Sequence, residues 1–212
     1  TTSLVYHVLK TAGFDVAVAG NIGISMARLI TERDYAYFVL EVSSFQLDNM
    51  YNFKADIAVL CNITPDHLDR YNYELQNYVD AKFRITQNQT EKDVFIYCAE
   101  DELTINNIEK HQIKATQIPF AYDKQLAVGA YVNQGQININ TTTKNQNPFT
   151  MYINELALKG RHNAYNSMAA AIIGQVLNIR KESIRESLIS FQNVEHRLEF
   201  VAKVHGIEFI ND

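Results

Sequence analysis

The sequence predicts an α/β protein with a mostly parallel central sheet flanked by helices, together with a small antiparallel β patch. In the first half of the chain, short apolar runs alternate with helical patterns, which is typical of strand–helix–strand units on a parallel sheet. In residues 129–158 apolar and polar residues instead alternate with period two, as in antiparallel strands. The first pattern predicts the fold class, and the second predicts the antiparallel patch.

The predicted elements follow one another without a long linker. The apolar runs that predict strands buried on both faces are residues 16–19, 37–40, 57–61 and 94–98. Helical patterns occupy residues 3–11, about 25–31, 73–88, 101–111, 163–177 and about 182–191. Near the end, two apolar runs on either side of residues 205–206 predict a β-hairpin.

Composition and charge exclude several classes of protein. With 212 residues, 47% of them hydrophobic, the chain can bury a sizeable core. Its net charge is −5 and no segment concentrates Lys and Arg, so we expect no nucleic acid or anionic membrane as a partner. No apolar stretch approaches the roughly 20 residues of a membrane helix. We therefore expect a soluble cytoplasmic protein in which Cys61 and Cys98 are free thiols.

Lys82 is the most informative single residue. The helical pattern places it on the same face as Leu75, Tyr78, Val79 and Ile85. Burial on an apolar face disfavours the ammonium ion, so the pKa falls and the neutral amine becomes a nucleophile, including toward carbon dioxide. The alternative is a side chain whose stem lies along the core while its ammonium reaches solvent, and the helix pattern alone favours that alternative.

Acidic and imidazole side chains follow two of the predicted strands. Glu41 comes directly after one apolar run, and Asp66 and His67 come shortly after the next. Since ligand sites in open α/β sheets lie at the carboxyl ends of the strands, we expect these side chains to share one edge. They are suitable ligands for a divalent ion. A solvated strand end for Glu41 and a helix cap for His67 are the alternatives.

Two further segments fit a nucleotide. Gly20-Asn-Ile-Gly23 lies between a strand and a helix, where backbone amides can bind an anion, although glycines also form such turns without a ligand. Asn163 and Asn166 are one helical turn apart and suited to hydrogen-bonding a base or ribose, with helix capping by Asn163 as the alternative. Spacing alone therefore predicts a nucleotide-plus-metal site.

Several of these segments resemble motifs of one known family. They are Gly20-Asn-Ile-Gly, Glu41-Val-Ser-Ser-Phe-Gln-Leu, Asn62-Ile-Thr-Pro-Asp-His-Leu-Asp-Arg, Ala81-Lys, Gly160-Arg-His-Asn-Ala-Tyr-Asn and His196-Arg-Leu-Glu, closing on Asn211-Asp. In this order they resemble the Mur ligase family over nearly the whole chain. Residues 41–47 resemble the members that add D-glutamate to UDP-N-acetylmuramoyl-L-alanine.

The resemblance implies an activity and a set of site residues. ATP would phosphorylate the terminal carboxylate of UDP-N-acetylmuramoyl-L-alanine, and the amine of D-glutamate would attack the acyl phosphate. The implied Mg²⁺ ligands are Glu41, His67 and a carbamylated Lys82. The other implied contacts are Asn21 and Ser43 or Ser44 with the muramoyl substrate, and Asn163, Asn166, Arg197 and Asp212 with the nucleotide.

The resemblance also implies a domain organisation. Residues 1–195 would form the central ATP-binding domain, and residues 196–212 would begin a C-terminal ligase domain. The parent enzyme is expected to be monomeric and to work in the bacterial cytoplasm. A Walker-type phosphate loop is expected directly before Thr1, so the chain by itself should be inactive and bind ATP weakly.

Three alternatives stay open, the first from the resemblance and the other two from the residues alone. The first is another Mur ligase or a folylpolyglutamate synthase-like ligase. The second is a metal-dependent hydrolase built on Glu41, Asp66, His67 and Asp69, because carboxylate and histidine clusters also activate water. The third is a dinucleotide-binding module, which would need a Gly-x-Gly-x-x-Gly turn that Gly20-Asn-Ile-Gly does not supply.

Overall fold

The computed structural model describes residues 1–141, 148–192, 199–204 and 207–211. The predicted α/β class is confirmed. The helices are α1 Thr2–Thr11, α2 Met26–Glu32, α3 Ser44–Leu47, α4 Leu75–Phe83, α5 Glu102–Ile108, α6 Arg161–Val176 and α7 Lys181–Ser190. The strands are β1 Val16–Gly20, β2 Tyr37–Glu41, β3 Ile57–Leu60, β4 Val94–Cys98, β5 Thr116–Ala121, β6 Gly129–Asn133, β7 Gln136–Asn140, β8 Phe149–Tyr152, β9 Glu199–Val204 and β10 Ile207–Asn211.

The largest sheet has six strands in the order β3-β4-β5-β6-β7-β8. Strands β3 to β6 are parallel, and β6, β7 and β8 pair antiparallel. The predicted antiparallel patch is therefore confirmed, and it continues the parallel sheet at one edge. The turn from β6 to β7 has positive φ at Gln134 and Gly135, the conformation of a two-residue hairpin loop whose twist matches its strands.

Strand β5 was not among the predicted strands. Its apolar residues are interrupted by Gln117 and Pro119, and a proline weakens the sequence signal of an internal strand. The strand is formed in the folded protein because its residues 116–120 pair in parallel with all five residues of β4.

Strands β1 and β2 form a separate two-stranded parallel sheet, with Val16 opposite Tyr37 and Gly20 opposite Glu41. The prediction that residues 37–40 are buried on both faces is wrong, since Tyr37 is 41% exposed and the rest of β2 is half-buried. Among the described strands β2 pairs only with β1, so one edge and much of its surface stay uncovered.

Helices cover both faces of the six-stranded sheet. Alternate side chains of a strand point to opposite faces. Along β4, Ile96 and Cys98 belong to the apolar cluster that includes α1, α6 and α7, whereas Phe95 and Tyr97 pack with α4 and α5. This arrangement leaves the ends of the parallel strands, rather than the faces of the sheet, available for a site.

The helix predicted over residues 73–88 is shorter than its apolar pattern. Asn72 and Tyr73 both have positive φ, which is incompatible with a right-handed helix, so α4 begins only at Leu75. After Phe83 the backbone tightens into a 3₁₀ turn, Arg84–Thr86. The predicted hairpin is confirmed, because β9 and β10 pair antiparallel. No helix in the described part of the chain is long and apolar enough to cross a membrane.

Candidate nucleotide and metal site

The loop after β1 lies directly against the end of β2. Gly20 has φ +108°, and a Cβ atom there would come within 2.1 Å of the backbone oxygen of Glu41. The amide of Asn21 donates a hydrogen bond to that oxygen at 2.7 Å. Gly20 is thus required by the close approach of two backbones, and this contact places Asn21 beside Glu41.

The segment after β2 begins with a capped helical turn. The Ser43 amide and hydroxyl donate to Gln46 Oε1 at 2.9 and 3.0 Å, and the Gln46 amide donates to Ser43 Oγ at 3.4 Å. This reciprocal pattern is a capping box, which fixes the start of α3. Ser44 is buried and hydrogen-bonds to Tyr71, so both serines are held in place by contacts within the fold.

An aromatic contact joins this segment to the loop after β3. The rings of Phe45 and His67 meet edge to face with their centroids 5.3 Å apart, and the Arg70 guanidinium lies 4.7 Å from the Phe45 centroid. His67 has φ +50°, and its amide donates to Asp66 Oδ1 at 2.8 Å. Its imidazole makes no hydrogen bond to the 3₁₀ turn that follows, so the side chain is not acting as a helix cap.

Lys82 lies where the sequence predicted, on a helix face that packs into the core. Tyr78 and Val79 on the same face are 5% and 1% exposed. Burial lowers the pKa of the Lys82 amine, and the nearby Cys61, Asp66 and Asp101 only partly oppose that shift. The amine lies 5.0 Å from the Tyr78 ring centroid. A desolvated lysine therefore faces the loop that carries Asp66.

The two asparagines of α6 have different surroundings. The alternative that Asn163 caps the helix is wrong: the N-cap is Gly160, whose φ of +95° lets the chain enter the helix three residues earlier. Asn163 Nδ2 donates instead to the Lys159 carbonyl at 2.8 Å. The side-chain oxygen of Asn166 accepts a hydrogen bond from the Thr1 hydroxyl.

Thr1 connects α6 with the end of β3, since its hydroxyl also lies 3.3 Å from Cys61 Sγ. Cys61 in turn acts electrostatically on Lys82. The structure thus brings Asn166, Cys61 and Lys82 into one chain of neighbours. Cys61 and Cys98 are both free thiols, as expected. Arg197 and Asp212 lie outside the described residues.

A preformed metal centre is not found within residues 1–141 or 148–192, where no three His, Cys, Asp or Glu side chains gather suitably. The hydrolase alternative needed such a centre on Glu41, Asp66, His67 and Asp69. The donors do fit Mg²⁺, which keeps several waters and binds through one or two carboxylates completed by substrate phosphates. Of the expected ligands, Glu41 supplies a hard oxygen donor of that kind, and Asp66, directly before His67, supplies another.

Asp101 is a contributor to the site region that the sequence pattern did not indicate. Its Oδ2 accepts from the Ile63 amide at 3.2 Å and from the Thr104 amide and hydroxyl at 2.9 and 2.5 Å. The carboxylate therefore caps α5 and anchors the loop that leads to Asp66 and His67. An aspartate three residues before Thr104 signals the cap, but nothing local signals Ile63, 38 residues away.

The sequence profile of the Mur ligase middle domain matches residues 1–174, and the chain belongs to this family. Over all 212 residues it is 53% identical to a UDP-N-acetylmuramoylalanine--D-glutamate ligase of Bacteroides fragilis. Proteins of the same name from Christiangramia forsetii and Porphyromonas gingivalis are 50% and 45% identical. The chain spans about half of these relatives, 47% of each.

Solved structures of the family share the fold. MurF from Acinetobacter baumannii superposes with a TM-score of 0.75 at 18% identity, over 100% of this chain and 47% of that one. The ligase MurC from Thermotoga maritima gives a TM-score of 0.65 at 22% identity, with the same coverage of both chains. These structural similarities are to Mur ligases of different kinds, and at such low sequence identity they support the fold alone.

Proposed function

We propose that the full-length protein is an ATP-dependent ligase that joins D-glutamate to UDP-N-acetylmuramoyl-L-alanine in the bacterial cytoplasm. The observation that carries the proposal is Lys82, a desolvated amine facing the loop after β3, in a chain whose relatives are named for this reaction. Within the protein, residues 1–195 would be the central ATP-binding domain, and residues 196–212 would begin the next domain. The self-contained pairing of β9 with β10 supports that boundary.

The proposed reaction has two steps that balance without a redox partner. The terminal carboxylate of the muramoyl substrate attacks the γ-phosphorus of ATP, releasing ADP and forming an acyl phosphate. The amine of D-glutamate then attacks the acyl carbon, phosphate leaves, and the amine loses a proton. Bound Mg²⁺ would neutralise the negative charge between phosphate and carboxylate.

Different residues of this chain would bind the metal ion, the muramoyl substrate and the nucleotide. Glu41 and His67 would hold the divalent ion at the edge where the loops after β2 and β3 meet. Asn21 and Ser43 or Ser44 would contact the muramoyl substrate. The proposed nucleotide contacts are Asn163, Asn166, Arg197 and Asp212.

Lys82 would act as a carbamate. The lone pair of the neutral amine forms a bond to the carbon of carbon dioxide, and one proton leaves the nitrogen. The lowered pKa of Lys82 supports this step, because it increases the fraction of neutral amine. The product would supply an oxygen ligand to the divalent ion, which an unmodified lysine cannot do.

The reaction is tested with the full-length protein by measuring phosphate release from ATP with UDP-N-acetylmuramoyl-L-alanine and each amino acid in turn. We expect release that depends on D-glutamate. Release with L-alanine, lysine or diaminopimelate instead would assign the protein to another member of the family. Absence of release with every amino acid would refute the proposed activity.

The carbamate is tested with Lys82→Arg, which keeps the positive charge but cannot form the adduct. We expect activity to fall at least about 100-fold, the usual cost of removing an electrostatic contact to the transition state. Wild-type activity should fall in buffer depleted of carbon dioxide and return with bicarbonate. ¹³C NMR with labelled bicarbonate should show a carbamate carbon in wild type and in the exposed-site control Lys10→Arg, but not in Lys82→Arg. A signal that persists in Lys82→Arg would contradict the assignment.

A further inference from the structure

We propose that Glu100, Tyr165, Arg161 and Asp123 form a clamp that fixes the start of α6 against the sheet and so positions Asn166 for the adenine nucleotide. We call these residues the α6 clamp. The inference rests on the proposed function, because it concerns the nucleotide that the ligase would use. The residues of the clamp are positioning residues and need not touch the nucleotide themselves.

The centre of the clamp is the carboxylate of Glu100, which follows β4. It accepts hydrogen bonds from the amides of Tyr122 and Asp123 at 2.6 and 2.8 Å, just beyond the end of β5. It also accepts one from the Tyr165 hydroxyl of α6 at 2.7 Å. A single side chain, 19% exposed, thereby ties two neighbouring strand ends to one helix.

The protonation states of the pair keep this contact in place. Burial raises the pKa of Glu100, but the two amides and the Tyr165 hydroxyl outweigh it, so the net pKa lies below the ordinary value. Burial, together with the hydrogen bond to Glu100, raises the pKa of Tyr165 to about 12. At neutral pH the carboxylate is therefore ionised and the hydroxyl keeps its proton, which is the combination that a charge-assisted hydrogen bond requires.

Arg161 extends the clamp along the same face of α6, one turn before Tyr165. Its Nε and Nη2 donate to the Tyr165 hydroxyl oxygen at 3.1 and 2.9 Å, and its Nη1 lies 2.6 Å from Asp123 Oδ2. The guanidinium also lies 4.9 Å from the Tyr122 ring centroid. Because Arg161 is 52% exposed, we expect it to contribute less than the Glu100–Tyr165 bond.

The start of α6 needs such a clamp because it has no side-chain cap. Its N-cap is Gly160, which has positive φ and open space around the position of a Cβ atom. Glycine leaves the entry into the helix conformationally free. Asn166 directly follows Tyr165, so the hydrogen bond that fixes Tyr165 also fixes the rotation of α6 that presents Asn166. Displacements of about 1 Å at a binding group are enough to weaken its function.

The experiment uses the full-length protein and Tyr165→Phe, which removes one oxygen atom and keeps the ring that packs near Phe120 and Tyr122. We expect the Kd and the KM for ATP to rise about fivefold, with kcat and the KM for D-glutamate nearly unchanged. Glu100→Gln should shift the same two constants in the same direction. The matched control is Tyr51→Phe, which removes a hydroxyl from a side chain that is 70% exposed.

The outcomes separate the clamp from the proposed function. If wild type binds ATP and folded Tyr165→Phe binds it equally tightly, the clamp has no positioning role. A fall of kcat by about fivefold in Tyr165→Phe, with unchanged affinity for ATP, would also overturn the positioning role of the clamp. If wild type itself does not bind ATP, the proposed function fails, and the clamp's role fails with it. Should Glu100→Gln not fold, the milder Tyr165→Phe still decides the question.

Discussion

Two glycines determine how closely neighbouring backbones approach each other in this fold. A Cβ atom at Gly20 would lie 2.1 Å from the Glu41 carbonyl oxygen, and one at Gly129 would lie 2.0 Å from the Pro119 carbonyl oxygen. Both positions also have positive φ, +108° and +114°. Gly13 shares only the second property, since its φ is +85° but nothing lies within 4 Å of the added atom. Comparing Gly20 with Gly13 therefore separates the destabilisation caused by a steric clash of the added Cβ atom from that caused by a positive φ at a non-glycine residue.

We predict that Gly20→Ala destabilises the chain by about 3 kcal/mol, because an unavoidable backbone collision adds to the conformational strain. Gly13→Ala should cost only about 1 kcal/mol, the strain alone. Urea unfolding of both variants measures the difference. Equal losses would mean that the loop after β1 moves away from Glu41 at little cost, and that the close approach is not required.

At the scale of elements, the sequence predicted what depends on local periodicity. The strands β1, β3 and β4, the helix α6 and the face of α4 that carries Lys82 all follow from apolar residues at regular spacing. The start of α4 was not predicted correctly, because Asn72 and Tyr73 adopt positive φ although the sequence there has a helical pattern. Strand β5 was missed because Pro119 interrupts its apolar pattern. The strand is stabilised by pairing with β4, a contact that leaves no local pattern in the sequence.

The Asp101 side chain connects α5 with the loop after β3. We predict that Asp101→Ala lowers the free energy of unfolding by about 2 kcal/mol, because the α5 cap and the contact with Ile63 are both lost. Asp101→Asn should cost less, since asparagine caps helices about as well as aspartate. The matched control is the exposed neighbour Glu102→Ala, for which we expect at most a few tenths of a kcal/mol. Thermal unfolding measures all three. A loss in Glu102→Ala as large as in Asp101→Ala would show that charge at the helix start, not the specific cap, is responsible.

At the scale of the whole molecule, the candidate site is assembled from contacts that no local pattern contains. The sequence predicted that Glu41 and His67 share one edge of the sheet and that Lys82 lies on an apolar helix face, and the resemblance to a family joined the three in one site. The contacts of Phe45 with His67 and of Thr1 with Cys61 and Asn166 connect residues that are 22 to 165 positions apart. Such contacts depend on the order of the strands in the sheets. The sequence pattern predicted the α/β fold class but not that order.

Stability toward acid is a property of the whole fold that can be predicted from its carboxylates. Hydrogen bonds from Lys54 and then Thr90 lower the pKa of Asp93 from 3.8 to about 2. The Asp93 side chain is 4% exposed, whereas that of Lys54 is 41% exposed, so solvent reaches the pair from the lysine side and screens it in part. A carboxylate whose pKa is lower in the folded state than in the unfolded state stabilises the fold above the unfolded value, and that stability disappears as the pH falls through the folded value.

We therefore predict that the free energy of unfolding declines between about pH 4 and pH 2, and that Asp93→Asn removes about 2 kcal/mol at neutral pH and flattens this part of the profile. The control is Asp15→Asn, because Asp15 also forms an ion pair, with Arg33 in place of a lysine, but both side chains are about half exposed. Its loss should be small, as for other exposed ion pairs. Urea unfolding of wild type and both variants from pH 7 to pH 2.5 measures the effect. If Asp93→Asn retains the full acid dependence of wild type, other carboxylates control the transition and the pair of Asp93 with Lys54 does not.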